Sequence, residues 1–167
     1  WAFEKFPGTE AVLGTQMQSV GEVMSIGRTF PESLQKGLRS LELGREGLNA
    51  DPAEKDFLNY SDADLLEKIA IATPTRIFEV AELLLRGVAA EKIHEVTLID
   101  PWFIDQLEII VEERSFIETV NLSSVIRKDL RRAKRIGFSD NQLAFLWDVS
   151  SDEVRERRIE LGIIPVF

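Results

Sequence analysis

The 167 residues are 44% hydrophobic and 29% charged, with a formal net charge of −9, a composition that fits one ordinary globular domain or two small ones. That charge argues against general binding to a nucleic-acid backbone, which needs clustered cations, and no apolar run reaches the roughly eighteen residues of a membrane span. The absence of cysteine excludes disulfides, thiolate chemistry and cysteine-ligated zinc, and suits a reducing, cytoplasmic setting.

The chain opens on Trp1 without a methionine, so we expect a piece of a longer protein; no basic head with an apolar stretch marks a signal peptide. Residues 1–6 alternate apolar and polar positions as a half-buried strand would, before a Pro7-Gly8 turn. Residues 20–27 read as a second strand whose glycines suit a bulge or close backbone approach. Thr29 and Pro31 then predict a capped helix start, with Leu34, Leu38 and Leu41 on one face. Two strands and a helix cannot bury a sheet face alone. Residues 1–43 are therefore expected to close a larger α/β domain. The turn-forming stretch GREGLNADP, 44–52, is the expected linker.

From residue 53 onward the pattern is helical. Ser61 to Asp64 predicts a capped start ahead of Leu65, Leu66 and Ile69; Pro74 breaks that segment, and residues 75–86 form a wide apolar stripe ended by Gly87. A short helix is predicted at 90–96. Asp100 and Pro101 then open a longer one through Ile104, Leu107, Ile110 and Val111 towards Phe116. Three more helices are predicted near 123–136, 140–147 and 151–161, the first and last closed by Gly137 and Gly162. Trp102, Phe103, Phe145 and Trp147 read as core anchors, or as interface residues.

Shifting the chain by fifty residues lays Gly87 on Gly137, Val88 on Phe138, Ile93 on Leu143, Val96 on Leu146, Ile99 on Val149, Asp100 on Ser150 and Ile104 on Val154. The ordered set predicts a duplicated helical unit, which builds a core by mutual packing of short helices rather than by enclosing a catalytic cleft. The fold class that follows is mainly α: a multi-helical domain with an internal duplication, preceded by a short α/β remnant.

Candidate chemistry is sparse. His94 is the only histidine, and one imidazole without cysteines is a poor start for a structural zinc site or for acid–base catalysis. Neither GxxxxGK[ST] nor GxGxxG is present. Asp62, Asp64 and Asp100 read as capping or first-turn residues, and Asp148 to Asp152 lacks the full calcium loop. The segment Arg127 to Arg135, RKDLRRAKR, carries six basic side chains and one acidic. It reads as the solvated face of a helix whose apolar stripe includes Val125, Leu130 and Ala133, or as a contact for an acidic partner or neighbouring domain.

Residues 15–42, TQMQSVGEVMSIGRTFPESLQKGLRSLE, resemble the end of the first ATP-grasp half of the carbamoyl-phosphate synthase large subunit. WAFEKF resembles the strand before it. IDPWFIDQLEIIV and GFSDNQLAFLWDVSSDEVRERRIELGIIPVF resemble the helical connection, or oligomerisation, domain that follows. The resemblance implies domains at 1–43 (the ATP-grasp remnant), 44–52 (linker) and 53–167 (helical domain). It implies a parent ligase that uses ATP with magnesium or manganese, joined to the remainder of the large subunit and to a glutaminase small subunit, with homo-oligomerisation. It implies no catalytic, cofactor or metal residue within the chain. Met17 and Glu22 match positions lining the family's internal carbamate passage; otherwise they read as a buried methionine beside a strand and a surface strand glutamate. Pro31 stands where the family commonly has a polar residue, and 49–64 departs most from the family pattern. The competing reading is a free-standing helical interaction module.

Overall fold

The computed structural model describes residues 8, 12–15, 23–41 and 43–165. Among these it forms eight α-helices and one 3-10 helix: α1 (Phe30–Ser40), the 3-10 helix (Pro52–Asn59), α2 (Asp62–Ile69), α3 (Arg76–Leu85), α4 (Ala90–Thr97), α5 (Pro101–Glu118), α6 (Arg127–Ile136), α7 (Asp140–Trp147) and α8 (Ser151–Glu160). The starts are written in the sequence. Thr29 accepts from the Glu32 amide, Asp100 from the Trp102 amide, and Ser61, Ser139 and Ser150 each complete a capping box with the residue three positions on. Each such cap satisfies amides that the helix itself leaves without partners.

The mainly α fold expected from the pattern is observed, and the duplication extends to the backbone. α4 and α7 span equivalent positions fifty residues apart, and both end on a left-handed residue, Leu98 at φ 55° and Asp148 at φ 53°. Gly87 and Gly137, just after α3 and α6, both have positive φ. In both copies the residue after that glycine donates back into the preceding helix, Val88 to Leu83 and Phe138 to Ala133. Ile93 and Leu143 are fully buried, as are Ile104 and Val154. The longest helix, α5, packs against α1, α3, α4, α6 and α7 and so joins the copies.

Three expectations need correction. The strand over 1–6, and the part of the second strand before residue 23, lie outside the described residues. Residues 23–27 are irregular rather than a strand, and no strand occurs among the described residues. Among the described residues no neighbouring strand pairs with them; Ser25 donates instead to the Ser33 carbonyl and Lys36 to the Ile26 carbonyl, tying the segment to α1. Within the stretch 44–52, Leu48, Asn49, Ala50 and Asp51 are all buried. α6 starts at Arg127 rather than near 123, because the Asn121 side chain accepts from the Ser124 amide and the Ser123 hydroxyl, forming a turn there. Finally, Trp102 and Phe103 are 51% and 44% exposed rather than core anchors.

Leu38 of α1 joins the core, and buried polar side chains also seat the helix on the bundle. Gln35 is fully buried; its Oε1 accepts from the Leu48 amide at 2.8 Å and from Gln142 Nε2 at 3.2 Å. Gln142 Nε2 also donates to the Asn49 carbonyl at 3.0 Å, and Asn49 Nδ2 to the Phe78 carbonyl at 3.1 Å. These bonds hold Asn49 and Ala50 in a left-handed backbone, φ 57° at each, which costs non-glycine residues roughly 1–2 kcal/mol apiece. A Cβ added at Gly137 would come within 2.8 Å of Gln35 Cβ and 3.1 Å of Glu32 Cα, so α1 lies directly against the end of α6.

Candidate interaction site

α6 shows why its sequence is so basic. Leu130 and Ala133 point inward, as does Val125 just ahead of the helix, and all three are buried, as expected from the apolar stripe. Of the outward cations, Arg132 pairs with Glu113 at 2.5 Å and lies 4.4 Å over the Phe116 ring. Lys134 pairs with Asp140 at 2.7 Å, and Arg127 donates to the Leu161 carbonyl at 2.9 Å. Arg28, Lys128, Arg131 and Arg135 have no carboxylate at ion-pair distance among the described residues, and all four are exposed.

Those four side chains line a cleft of about 800 Å³ between the start of α1 and α6, floored by Pro31, Ile109 and Ile136. A second cleft of about 720 Å³ continues it past Arg131 and Arg135 to Arg39, Arg158 and the exit segment Ile163–Pro165. Among the described residues, Glu32 is the one carboxylate lining either cleft. It is already engaged: Lys36 at 2.8 Å, together with the Arg28 amide at 2.7 Å, holds its carboxyl below the usual range. Burial alone would raise the Asp140 carboxyl. The hydrogen bonds and charges of Lys134 and Arg158 outweigh it, and the group sits below its ordinary value. A different surface, on α4 and α5, is acidic: burial and the neighbouring Asp105, Glu112 and Glu91 push Glu108 upward.

A separate apolar groove of about 410 Å³ is lined by Phe30, Leu34, Ile77, Phe103 and Leu107, among others. Phe30, Trp102 and Phe103 meet edge to face at its rim, with centroids 5.0–5.5 Å apart. Leu34, read from sequence as part of the inward stripe of α1, borders this groove and is only partly buried. Phe145 and Trp147 are half-buried, and the Trp147 indole donates to the Ile117 carbonyl at 3.1 Å.

The sequence-derived site residues are placed unevenly. Met17 and Glu22 lie outside the described residues. His94 is half-buried, its Nδ1 2.7 Å from the Ile99 carbonyl, a structural contact within its own copy of the repeat. No grouping of three histidines, cysteines or carboxylates that could hold a metal ion occurs among the described residues. Nor, among them, is any helix long and apolar enough to cross a membrane. Sequence reasoning missed Gln35, Gln142 and the exposed Arg28; the signal for the first was a polar residue interrupting the inner face of an otherwise apolar helix.

Comparison with known proteins decides the family. Residues 22–162 match the model of the carbamoyl-phosphate synthetase large chain, oligomerisation domain. The chain belongs to that family. It is 47% identical over 167 residues to the carbamoyl phosphate synthase large chain of a Nostoc species, covering all of this chain and 15% of that one. It is 40% identical over 171 residues to the large chain of Archaeoglobus fulgidus, covering all of this chain and 16% of that protein. The arginine-specific chloroplastic large chain of Arabidopsis thaliana is 40% identical over 167 residues, again with all of this chain and 14% of the relative covered. The chain therefore spans about one-seventh to one-sixth of the length of these relatives. The match takes in α1 as well as α2 to α8, consistent with the polar contacts that seat α1 on the bundle.

Proposed function

We propose that this chain is the connecting and self-associating segment of a glutamine-dependent carbamoyl-phosphate synthase large subunit, with a structural rather than a chemical task. The parent enzyme forms carbamoyl phosphate from bicarbonate, glutamine-derived ammonia and two ATP, with magnesium or manganese, in the cytoplasm. Its product serves arginine and pyrimidine synthesis, and a glutaminase small subunit supplies the ammonia. Residues 1–43 close the first ATP-grasp half, 44–52 make the connection and 53–167 form the helical domain, with α1 docking the first part onto the last. Met17 and Glu22 line the passage that carries carbamate between the halves. Carbamate and its phosphorylated precursor are labile in water, so a closed assembly that holds both halves in fixed relation protects them.

The observation that carries this reading is the family match over 22–162, on a fold whose buried polar groups serve packing: Gln35 and Gln142 bond to one another and to the backbone of the 44–52 segment. The test is to assay the full-length protein beside the isolated 167-residue chain. Carbamoyl phosphate formed from glutamine, bicarbonate and ATP by the full-length protein, with no turnover by the isolated chain, is the expected result. A parent that lacks a second GEVMxIGR-like motif and forms no carbamoyl phosphate, alone or with a companion chain, returns the chain to the status of a free-standing helical module.

A further inference from the structure

Four observations converge on one face. The first is unsatisfied charge: Arg28, Lys128, Arg131 and Arg135 are exposed and have no ion-pair partner among the described residues, although the chain as a whole carries −9. The second is shape. The two clefts run together along α1 and α6, sharing Arg28, Glu32, Arg131 and Arg135, a concave surface far larger than one ion needs. The third is that the segment leaving α8, Ile163 to Pro165, borders this surface, as does Arg28 on the segment entering α1. The fourth is exposed apolar surface on those same segments, with Met24 at 88%, Ile26 at 79% and Ile164 at 66% exposure. Large apolar side chains so exposed, beside unpaired arginines, are the composition of an interface not yet covered.

We infer that the α1–α6 cleft is a docking face for an acidic surface of the flanking parts of the same polypeptide, with Arg28, Lys128, Arg131 and Arg135 as the ion-pairing set and Met24, Ile26 and Ile164 as the apolar margin. This rests on the proposed reading of the chain as a segment of a longer large subunit. The relatives are six to seven times as long as the matched stretch, and the segment that follows α8, Ile163 to Pro165, lines this cleft. Effective concentration then favours an intramolecular occupant over any free partner. Arginine suits the task, because its planar fork pairs carboxylates in two-point geometry. Such pairs fix register as much as they add affinity, so the cleft sets the angle at which the helical domain meets its neighbours.

Zero-length carbodiimide cross-linking of the full-length protein in its complex, read by mass spectrometry, tests the inference. Lys128 is the reporter, and the Lys134–Asp140 pair within the domain is the internal control. Links from Lys128 to aspartates or glutamates of the same polypeptide outside residues 1–167 are expected. Their yield should fall by about tenfold in R131A/R135A, the loss of one or two close charge pairs, while the control link persists. Because both arginines are exposed, persistence of the control link also verifies that the variant is folded. Lys128 links confined to residues 1–167, or passing only to a second copy in a mixture of isotopically labelled and unlabelled protein, would overturn it. So would a Lys128 that stays reactive until inorganic phosphate or ATP shields it, which would assign the cleft to a free anion. The links are read without catalysis: an inactive parent that shows them fails only the proposed function, and an active one without them fails only this inference.

Discussion

Gly87 and Gly137 occupy equivalent positions in the two copies, and replacing each with alanine separates backbone strain from packing. Both have positive φ, 83° and 104°, so both variants pay the left-handed penalty of about 1–2 kcal/mol. Their surroundings differ. A Cβ at Gly87 meets nothing within 4 Å, whereas at Gly137 it falls 2.8 Å from Gln35 Cβ and 3.1 Å from Glu32 Cα. A backbone atom cannot rotate aside, so α1 as a whole must retreat. That retreat stretches the Gln35 bonds to Leu48, at 2.8 Å, and to Gln142, at 3.2 Å. Overpacking of this kind costs a further 1–3 kcal/mol or so. We therefore predict that G137A destabilises the chain by roughly 2–5 kcal/mol and G87A by only about 1–2 kcal/mol. Urea unfolding followed by far-ultraviolet circular dichroism measures both, with the free-energy change taken from the midpoint at constant slope. Equal losses at the two sites would refute the claim that α1 is seated by direct contact with the end of α6.

Arg114 is buried and pairs Glu54 through both guanidinium nitrogens, at 2.7 and 3.0 Å; R114L strands Glu54 and should cost about 3–5 kcal/mol in the same urea assay. Asp140 has a folded pKa below its unfolded value of 3.8. Its contribution is therefore present above that value and lost as the pH falls through it towards the folded pKa. In D140N the stability–pH curve below about pH 4 should be flatter than in the parent sequence, as followed by thermal unfolding across that range. Self-association is predicted through the aromatic rim of half-buried Phe30 and exposed Trp102 and Phe103, and through the helix α7. Light scattering after size exclusion should give a mass rising with concentration towards twice 18.9 kDa, and W102E should hold it at the monomer value. A wild-type monomer at every concentration would leave the domain an intramolecular connector.

Most of the helical architecture was legible because its signals are local. Ser61, Asp100 and Ser150 announce helix starts, Gly87 and Gly137 their ends, and the fifty-residue shift pairs Ile93 with Leu143 and Ile104 with Val154, each fully buried. What could not be read depends on contacts between distant segments. The 3-10 helix at Pro52–Asn59 lacks the 3.6-residue period that marks an α-helix. The burial of 48–51 was hidden by turn-forming residues that ordinarily mark a surface loop; their polar groups are satisfied by Gln35, Gln142 and Glu54, far off in sequence or on another element. The exposure of Trp102 and Phe103 was illegible because aromatic residues at a helix start look alike whether they face a core or a partner. The basic run of α6 was plain in sequence, but the cleft it forms needed Arg28, ninety-nine residues before Arg127 and brought near only by the packing of α1.

The connector role is tested most directly by the yield of carbamoyl phosphate per ATP hydrolysed in the full-length protein carrying L143A. Leu143 is fully buried, and its truncation should weaken the helical domain by about 2–5 kcal/mol without touching either ATP-using half. As temperature rises through the melting of the weakened domain, bicarbonate-dependent ATP hydrolysis should continue while the yield per ATP falls, because the halves no longer hold a protected path between them. A yield that stays constant after the domain has melted would contradict the account, as would hydrolysis and synthesis that fail together.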